Sequence, residues 1–177
     1  MKKEIRKKFI GEIVWAATKQ GGFQRSRIYK PNAQIEDRVK NKFRDTIKSY
    51  CFNNLYVKYD GKQISEEELI TEIENLIKNI NKEFGSILKG GEFRFGNAQK
   101  FVNLYLKLLW IVGEIKEPPH FPVDRIIQKN FKIIKSWTNM NKTQYWEVIN
   151  EAKEKVETKQ SLAEWELTEY EKLVNSK

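Results

Sequence analysis

A chain of 177 residues with 40% hydrophobic and 12% aromatic content is long enough to bury one real core and too apolar to stay disordered. Its 33 Lys and Arg against 24 Asp and Glu leave a net charge of +9. A single cysteine, Cys51, and a single histidine, His120, exclude an internal disulfide and a cysteine-held iron–sulfur centre, and leave too few ligands for a structural zinc site.

The charge is uneven. Residues 1–62 carry 16 Lys and Arg against 6 Asp and Glu, residues 63–138 carry 11 against 10, and residues 139–177 carry 6 against 8. A basic half beside a neutral one is the footprint of a polyanion binder, although a surface rich in lysine throughout reads the same way. The longest apolar stretch, Leu104 to Val112, is too short to span a bilayer. No secretory leader is visible, because Gly11-Glu12 breaks the apolar run after Phe9-Ile10. The expectation is a cytoplasmic protein that does not engage membranes and needs no metal or organic cofactor.

Lys2 to Gln20 has the periodicity of an amphipathic helix, with Ile5, Phe9, Ile13 and Ala16 or Ala17 on one face. Lys2, Lys3, Arg6, Lys7 and Lys8 crowd its first turns, where the helix dipole disfavours cations. They read either as drawn to an anionic partner or as a solvated basic start. Gly21-Gly22 is the expected stop. Phe23 to Pro31 is a basic, aromatic loop. Arg25, Arg27 and Lys30 can grip phosphate there, while Phe23 and Tyr29 either stack on bases or pin the loop to the core, the commoner role.

Asn32 is placed to cap a second helix running to about Phe52, with Ile35, Val39, Phe43, Ile47 and Tyr50 as its apolar stripe. Leu55 to Tyr59 alternates weakly and allows a short extended piece, with no partner strand evident. Ser65 and Glu68 form a capping box for a helix ending near Leu88. Asn97 is read as the cap of a helix to about Val112 that is apolar around nearly its whole circumference, the mark of a helix buried at a domain's centre. Pro122 opens a helix from Val123 to Trp137, presenting Ile126, Ile127, Phe131 and Ile134. Thr138 or Asn141 caps another, and Ser161 with Glu164 opens the last. The expectation is an all-α fold: a single domain over residues 1–177, of about seven helices around a buried central one.

Functional chemistry concentrates between Gly90 and Ile127. Lys100 falls in the first turn of the helix expected from Asn97, where the dipole lowers an ammonium's pKa and makes a neutral amine available as a nucleophile. The same helix start, with Gly90, Gly91 and Gly96 allowing close backbone approach, offers an anion site. Asp124 falls in the first turn of the next helix, where a carboxylate is favoured and can stabilise an oxocarbenium-like sugar. The commoner roles of these two residues are a phosphate-gripping lysine and a helix N-terminal acid. His120, between Pro119 and Phe121, is either an acid–base group near Asp124 or a loop residue bonded to backbone.

Gly96-Asn97-Ala98-Gln99-Lys100-Phe101-Val102-Asn103-Leu104 followed by Phe121-Pro122-Val123-Asp124 resembles the signature of the helix–hairpin–helix DNA glycosylases. Those proteins carry a Gly-x-Gly-x-Lys-x-Ala-(Asn/Asp) hairpin, an apolar helix and a (Pro/Ala)-Val-Asp segment. The likeness covers about 30 of the 177 residues. Ala98 stands at the second hairpin glycine, Arg94-Phe95 stand where the family has Leu-Pro, and the iron–sulfur cysteines of one branch are absent. The resemblance implies a base-excision enzyme acting on DNA, with or without lyase activity. In it Gly96 binds phosphate through backbone N–H groups, Lys100 is the Schiff-base nucleophile and Asp124 the carboxylate needed for base excision. Asn97, Gln99, Arg94, Lys89, Arg25 and Arg27 would complete the nucleic-acid contact, and Phe101, Trp110 and His120 would line a pocket for a flipped base. Two other functions fit the same chain: a non-catalytic basic helical module that binds nucleic acid, such as an accessory or defence component, and a protein-interaction adaptor.

Overall fold

The all-round apolar helix expected near the middle of the chain is the centre of the structure. The computed structural model describes residues 2–132, 136–156 and 159–175. Among these, six α-helices form: α1 (Lys3–Phe23), α2 (Asp37–Tyr50), α3 (Glu66–Phe84), α4 (Phe95–Ile111), α5 (Lys142–Lys155) and α6 (Leu162–Asn175). The described residues contain no strand, only an isolated bridge between Tyr29 and Leu88. The fold is all-α. α4 packs against α1, α3, α5 and the 3-10 turn Trp137–Asn139. No helix among the described residues is long and apolar enough to cross a membrane.

Three capping boxes set helix starts. Ser65 Oγ accepts from the Glu68 N–H at 3.1 Å, and the Glu68 carboxylate takes the Ser65 N–H at 2.9 Å. Asn141 and Gln144 do the same for α5, and Ser161 and Glu164 exchange the same pair of bonds at the start of α6. Each satisfies two N–H groups that a helix end leaves unpaired.

The first helix differs from its expectation in two ways. It runs through Gly21-Gly22 rather than stopping there, because those glycines let α1 lie close on α4: a Cβ on Gly22 would sit 2.3 Å from Cε1 of the buried Phe101. The buried face is Gly11, Val14, Trp15, Thr18 and Gly22. The expected apolar stripe therefore points outward, with Ile5, Phe9 and Ile13 at 46%, 62% and 68% exposure. Leaving such side chains in water forgoes about 1.5–3 kcal/mol each, and the close approach of two helix backbones outweighs it. Three of the five cations of the first turns have internal partners. Lys3 and Lys7 pair with Asp60 at 3.1 and 2.7 Å, and Arg6 pairs with Glu114, which also takes the Tyr56 hydroxyl at 2.5 Å.

Asn32 does not cap α2. It adopts a left-handed conformation, φ 61°, and the helix starts five residues later. Its C-terminal end widens into a π-helical segment, Cys51–Val57, in place of an extended piece. This turn brings Tyr50 and Lys58 onto the buried Glu72 of α3 at 2.6 and 2.5 Å, so the carboxylate is paired rather than stranded.

The helix expected over 123–137 does not form among the described residues. Among the described residues of that stretch the regular pieces are a 3-10 turn, Ile127–Asn130, and the first residue of the 3-10 turn Trp137–Asn139; Ile134 lies outside the described residues. The backbone groups that a helix would use are taken by side chains. Asp124 Oδ1 accepts from the N–H groups of Ile126 and Ile127 at 2.7 and 3.1 Å, Gln99 takes both polar groups of Val123, and Gln128 Oε1 takes the N–H of Trp137 at 2.9 Å. Asp124 is thus an acid of a tight turn and not of an α-helix.

Replacing Gly22 with alanine is expected to lower unfolding free energy by about 1–3 kcal/mol through overpacking against Phe101. Urea unfolding followed by circular dichroism measures this, and a loss below a few tenths of a kcal/mol would contradict the close α1–α4 contact.

Candidate functional site

Lys100 is buried, 5% exposed, in the second turn of α4. The helix begins at Phe95 and not at Asn97, so Lys100 stands beyond the unpaired N–H groups, and the dipole is not what acts on it. Burial holds its pKa below the ordinary lysine value. The field of Asp124 opposes that effect, and the field of Arg25 adds to it. The two candidate residues are therefore brought together electrostatically without forming an ion pair. The Lys100 ammonium lies 4.5 Å from the centre of the Trp137 ring, a cation–π contact that holds the chain. It makes no hydrogen bond to a described residue.

Gln99 sets the position of Asp124. Its Nε2 donates to the Val123 carbonyl at 2.6 Å and to the Gly96 carbonyl at 3.0 Å, while its Oε1 accepts the Val123 N–H at 3.1 Å. The segment 121–124 is clamped to α4 through one amide. Asn103 donates to the same Gln99 Oε1 at 3.2 Å and to the Tyr145 hydroxyl at 2.9 Å. The Tyr145 hydroxyl meets His120 Nδ1 at 3.0 Å, and His120 Nε2 faces Glu66 at 3.2 Å, an ion-pair separation without hydrogen-bond alignment. A buried polar chain thus runs from Glu66 on α3 to the backbone beside Asp124.

The helix start is not open to phosphate. The Gly96 N–H donates to Met140 O at 3.0 Å, and the N–H groups of Asn97 and Ala98 both return to Arg94 O at 3.0 Å. A Cβ on Gly96 would lie 1.9 Å from Trp137 O. Gly96 is glycine because the 137–140 turn packs on it, and with Asn97 and Gln99 it is buried. These three cannot contact nucleic acid as the motif implies, because their backbone and side chains face protein. Arg94 is spent on the neighbouring loop: it bonds Asn139 and donates to the Arg27 carbonyl at 3.1 Å. Lys89 is exposed.

Cationic groups assemble nearby instead. Arg25, Arg27 and Arg125 line a pocket of about 390 Å³ with Gln128, Ser136, Trp137 and Thr138. Arg125 and the two hydroxyl residues had no motif to mark them; only the tertiary structure brings them to the loop at 23–31. In that loop Phe23 and Tyr29 pack edge-on against Phe43 at 6.1 and 5.6 Å, so the aromatics pin it to the core.

The expected base pocket does not form from the residues named for it. Phe101 is fully buried among Trp15, Phe23 and Phe93. Trp110 is half-buried at the far end of α4, about 15 Å from Lys100 at 1.5 Å per residue. His120 is fully buried against Tyr145 and Trp146. Burial pushes its pKa down to about 4, outweighing Glu66, which pulls it up. It is a neutral core histidine. Among the described residues no group of 3 or more His, Cys, Asp or Glu comes together as a metal site.

His120 has a pH consequence. The unfolded chain takes its proton near the ordinary histidine value of 6.5, the folded chain only near 4. Between those values the unfolded form holds more protons, so stability is complete above the window and falls as pH drops through it. The loss is on the order of 3 kcal/mol. Chemical denaturation at pH 7, 6 and 5 should show that decline in the wild type and a flatter profile in His120→Gln. Glu66, which burial pushes up but Lys153 and the contact with His120 hold below the carboxylate value of 4.5, adds to the loss of stability only at still lower pH.

No protein-family model, no curated protein and no solved structure matches the chain.

Proposed function

We propose that the protein is a base-excision enzyme on DNA, a glycosylase with lyase activity that works through Lys100 and Asp124. The observation that supports it most is a buried lysine, its pKa lowered by desolvation, in the field of an aspartate and beside an arginine-lined pocket. A neutral amine attacks the anomeric carbon of a sugar. The glycosidic bond breaks, the base departs with a proton, and the amine is left as a Schiff base that sodium borohydride reduces to a stable link. The Asp124 oxygen not held by Ile126 and Ile127 is free to stabilise positive charge developing on the sugar. An extruded nucleotide satisfies the need for single-unit access.

A second reading is a non-catalytic nucleic-acid binder. It is favoured by the three clustered arginines, which suffice to hold phosphate, and by the internal use of the Gly96 and Asn97 N–H groups.

Borohydride trapping on duplexes carrying an abasic site or a modified base separates the two. A covalent adduct is expected with the wild type and none with Lys100→Ala. Asp124→Asn is expected to slow base release by about 100-fold or more, the scale of losing one preorganised electrostatic partner. The trapping rate should climb as pH rises and level off below the pH at which an ordinary lysine titrates, about 10.4, because the folded Lys100 loses its proton earlier. No adduct and no base release, with salt-sensitive binding retained, would leave the binding module.

A further inference from the structure

Arg25 and Arg27 both hold left-handed backbone conformations, φ 58° and 48°. Side chains with a Cβ rarely adopt that region, and such residues gather where a site needs them. The surroundings enforce the shape. Ser26 is buried and bonds back to the Phe23 carbonyl at 2.9 Å. Ile28 is buried, and its carbonyl takes the Lys89 N–H at 2.8 Å. Arg94 holds the Arg27 carbonyl. The loop thus alternates, with residues 26 and 28 inward and 25 and 27 outward, at the expense of backbone comfort.

The outward guanidiniums meet Arg125, Gln128, Ser136, Trp137 and Thr138 in the pocket of about 390 Å³, and no carboxylate lines it among the described residues. Ser136 and Thr138 stand with their hydroxyl oxygens 3.0 Å apart. Guanidinium forks match the oxygens of a phosphoryl group, and hydroxyls donate to the same oxygens. The volume suits one nucleotide-sized group and not a duplex.

We infer that this pocket is a phosphoryl-binding site for a phosphate carried on a single sugar, whether a free sugar phosphate or the phosphorylated end of a strand. It deepens the enzymatic reading, on which it rests for the sugar delivered to Lys100. Trp137 joins the two places, since it lines the pocket and carries the Lys100 amine over its ring.

Calorimetric titration at low salt tests it with ribose 5-phosphate, ribose, and single-stranded oligonucleotides with and without a 5′-phosphate. At least one phosphorylated probe should bind at least tenfold tighter than its unphosphorylated counterpart. Binding of ribose 5-phosphate and of the phosphorylated strand alike supports a small-molecule source, and binding of the strand alone supports a strand end. Arg25→Gly and Arg27→Gly should each weaken that binding at least tenfold with Tm unchanged or higher, because glycine takes a positive φ without a Cβ clash. Arg125→Ala should weaken it too. Equal binding of phosphorylated and unphosphorylated probes, or glycine variants that bind like the wild type, would overturn the inference. Lys100→Ala should keep phosphate-dependent binding. Binding without Lys100-dependent trapping removes the enzymatic reading alone, and trapping without phosphate-dependent binding removes this pocket alone.

Discussion

Burying α4 on nearly every side is the constraint on which the rest of the molecule depends. A helix that presents Phe101, Val102, Tyr105, Leu106 and Leu109 to protein in several directions must be wrapped. Wrapping demands that neighbours come close, so α1 sets Gly21 and Gly22 against Leu104 and Phe101 of α4, and the 137–140 turn lies directly on Gly96. The same burial surrounds the polar residues of α4. Lys100, Gln99 and Asn103 are not surface groups on a core helix; they are interior groups that the fold has to partner.

That necessity organises the candidate site. Gln99 and Asn103 find partners in the Val123 backbone and Tyr145, and through them the loop that carries Asp124 is fixed to the helix that carries Lys100. Lys100 finds an aromatic face and the field of a carboxylate that does not form an ion pair with it. A lysine in that position is easier to deprotonate than one in water, because desolvation penalises its charge more than Asp124 restores it. Structural demand and chemical readiness have one source. Two turns further along the same face of α4 the interior solution is different: Lys107 pairs with the buried Glu166 at 2.5 Å and ties α6 to the core. A close carboxylate of this kind is what Lys100 lacks.

The loop at 23–31 shows the opposite balance. Its aromatics and Ile28 are anchored for stability, while Arg25 and Arg27 sit in backbone conformations that stability alone would assign to glycine. The strain at these two alternate positions is held by the inward anchoring of Ser26 and Ile28 and by Arg94 on the Arg27 carbonyl, and it turns both guanidiniums toward one cationic pocket.

The helical class, the central helix and the starts of α3 and α6 are written in local sequence, because capping boxes and an all-round apolar run act within a few residues; for α5 the sequence offers Thr138 or Asn141, and the structure takes Asn141. Lys100 and Asp124 could be singled out for the same reason: residue type and spacing are local. Three things were decided only by tertiary structure. The face that α1 buries was set by how closely its backbone can approach α4, and periodicity reads hydrophobicity, not distance, so Ile5, Phe9 and Ile13 point the unexpected way. The stretch after Pro122 lost its helix because Gln99 and Asp124 captured its backbone groups, a competition between side chain and ladder that propensity does not register. The cationic pocket joins Arg25 and Arg27 to Arg125, Gln128, Ser136, Trp137 and Thr138 across the chain, and no linear motif records a cluster whose members lie about a hundred residues apart.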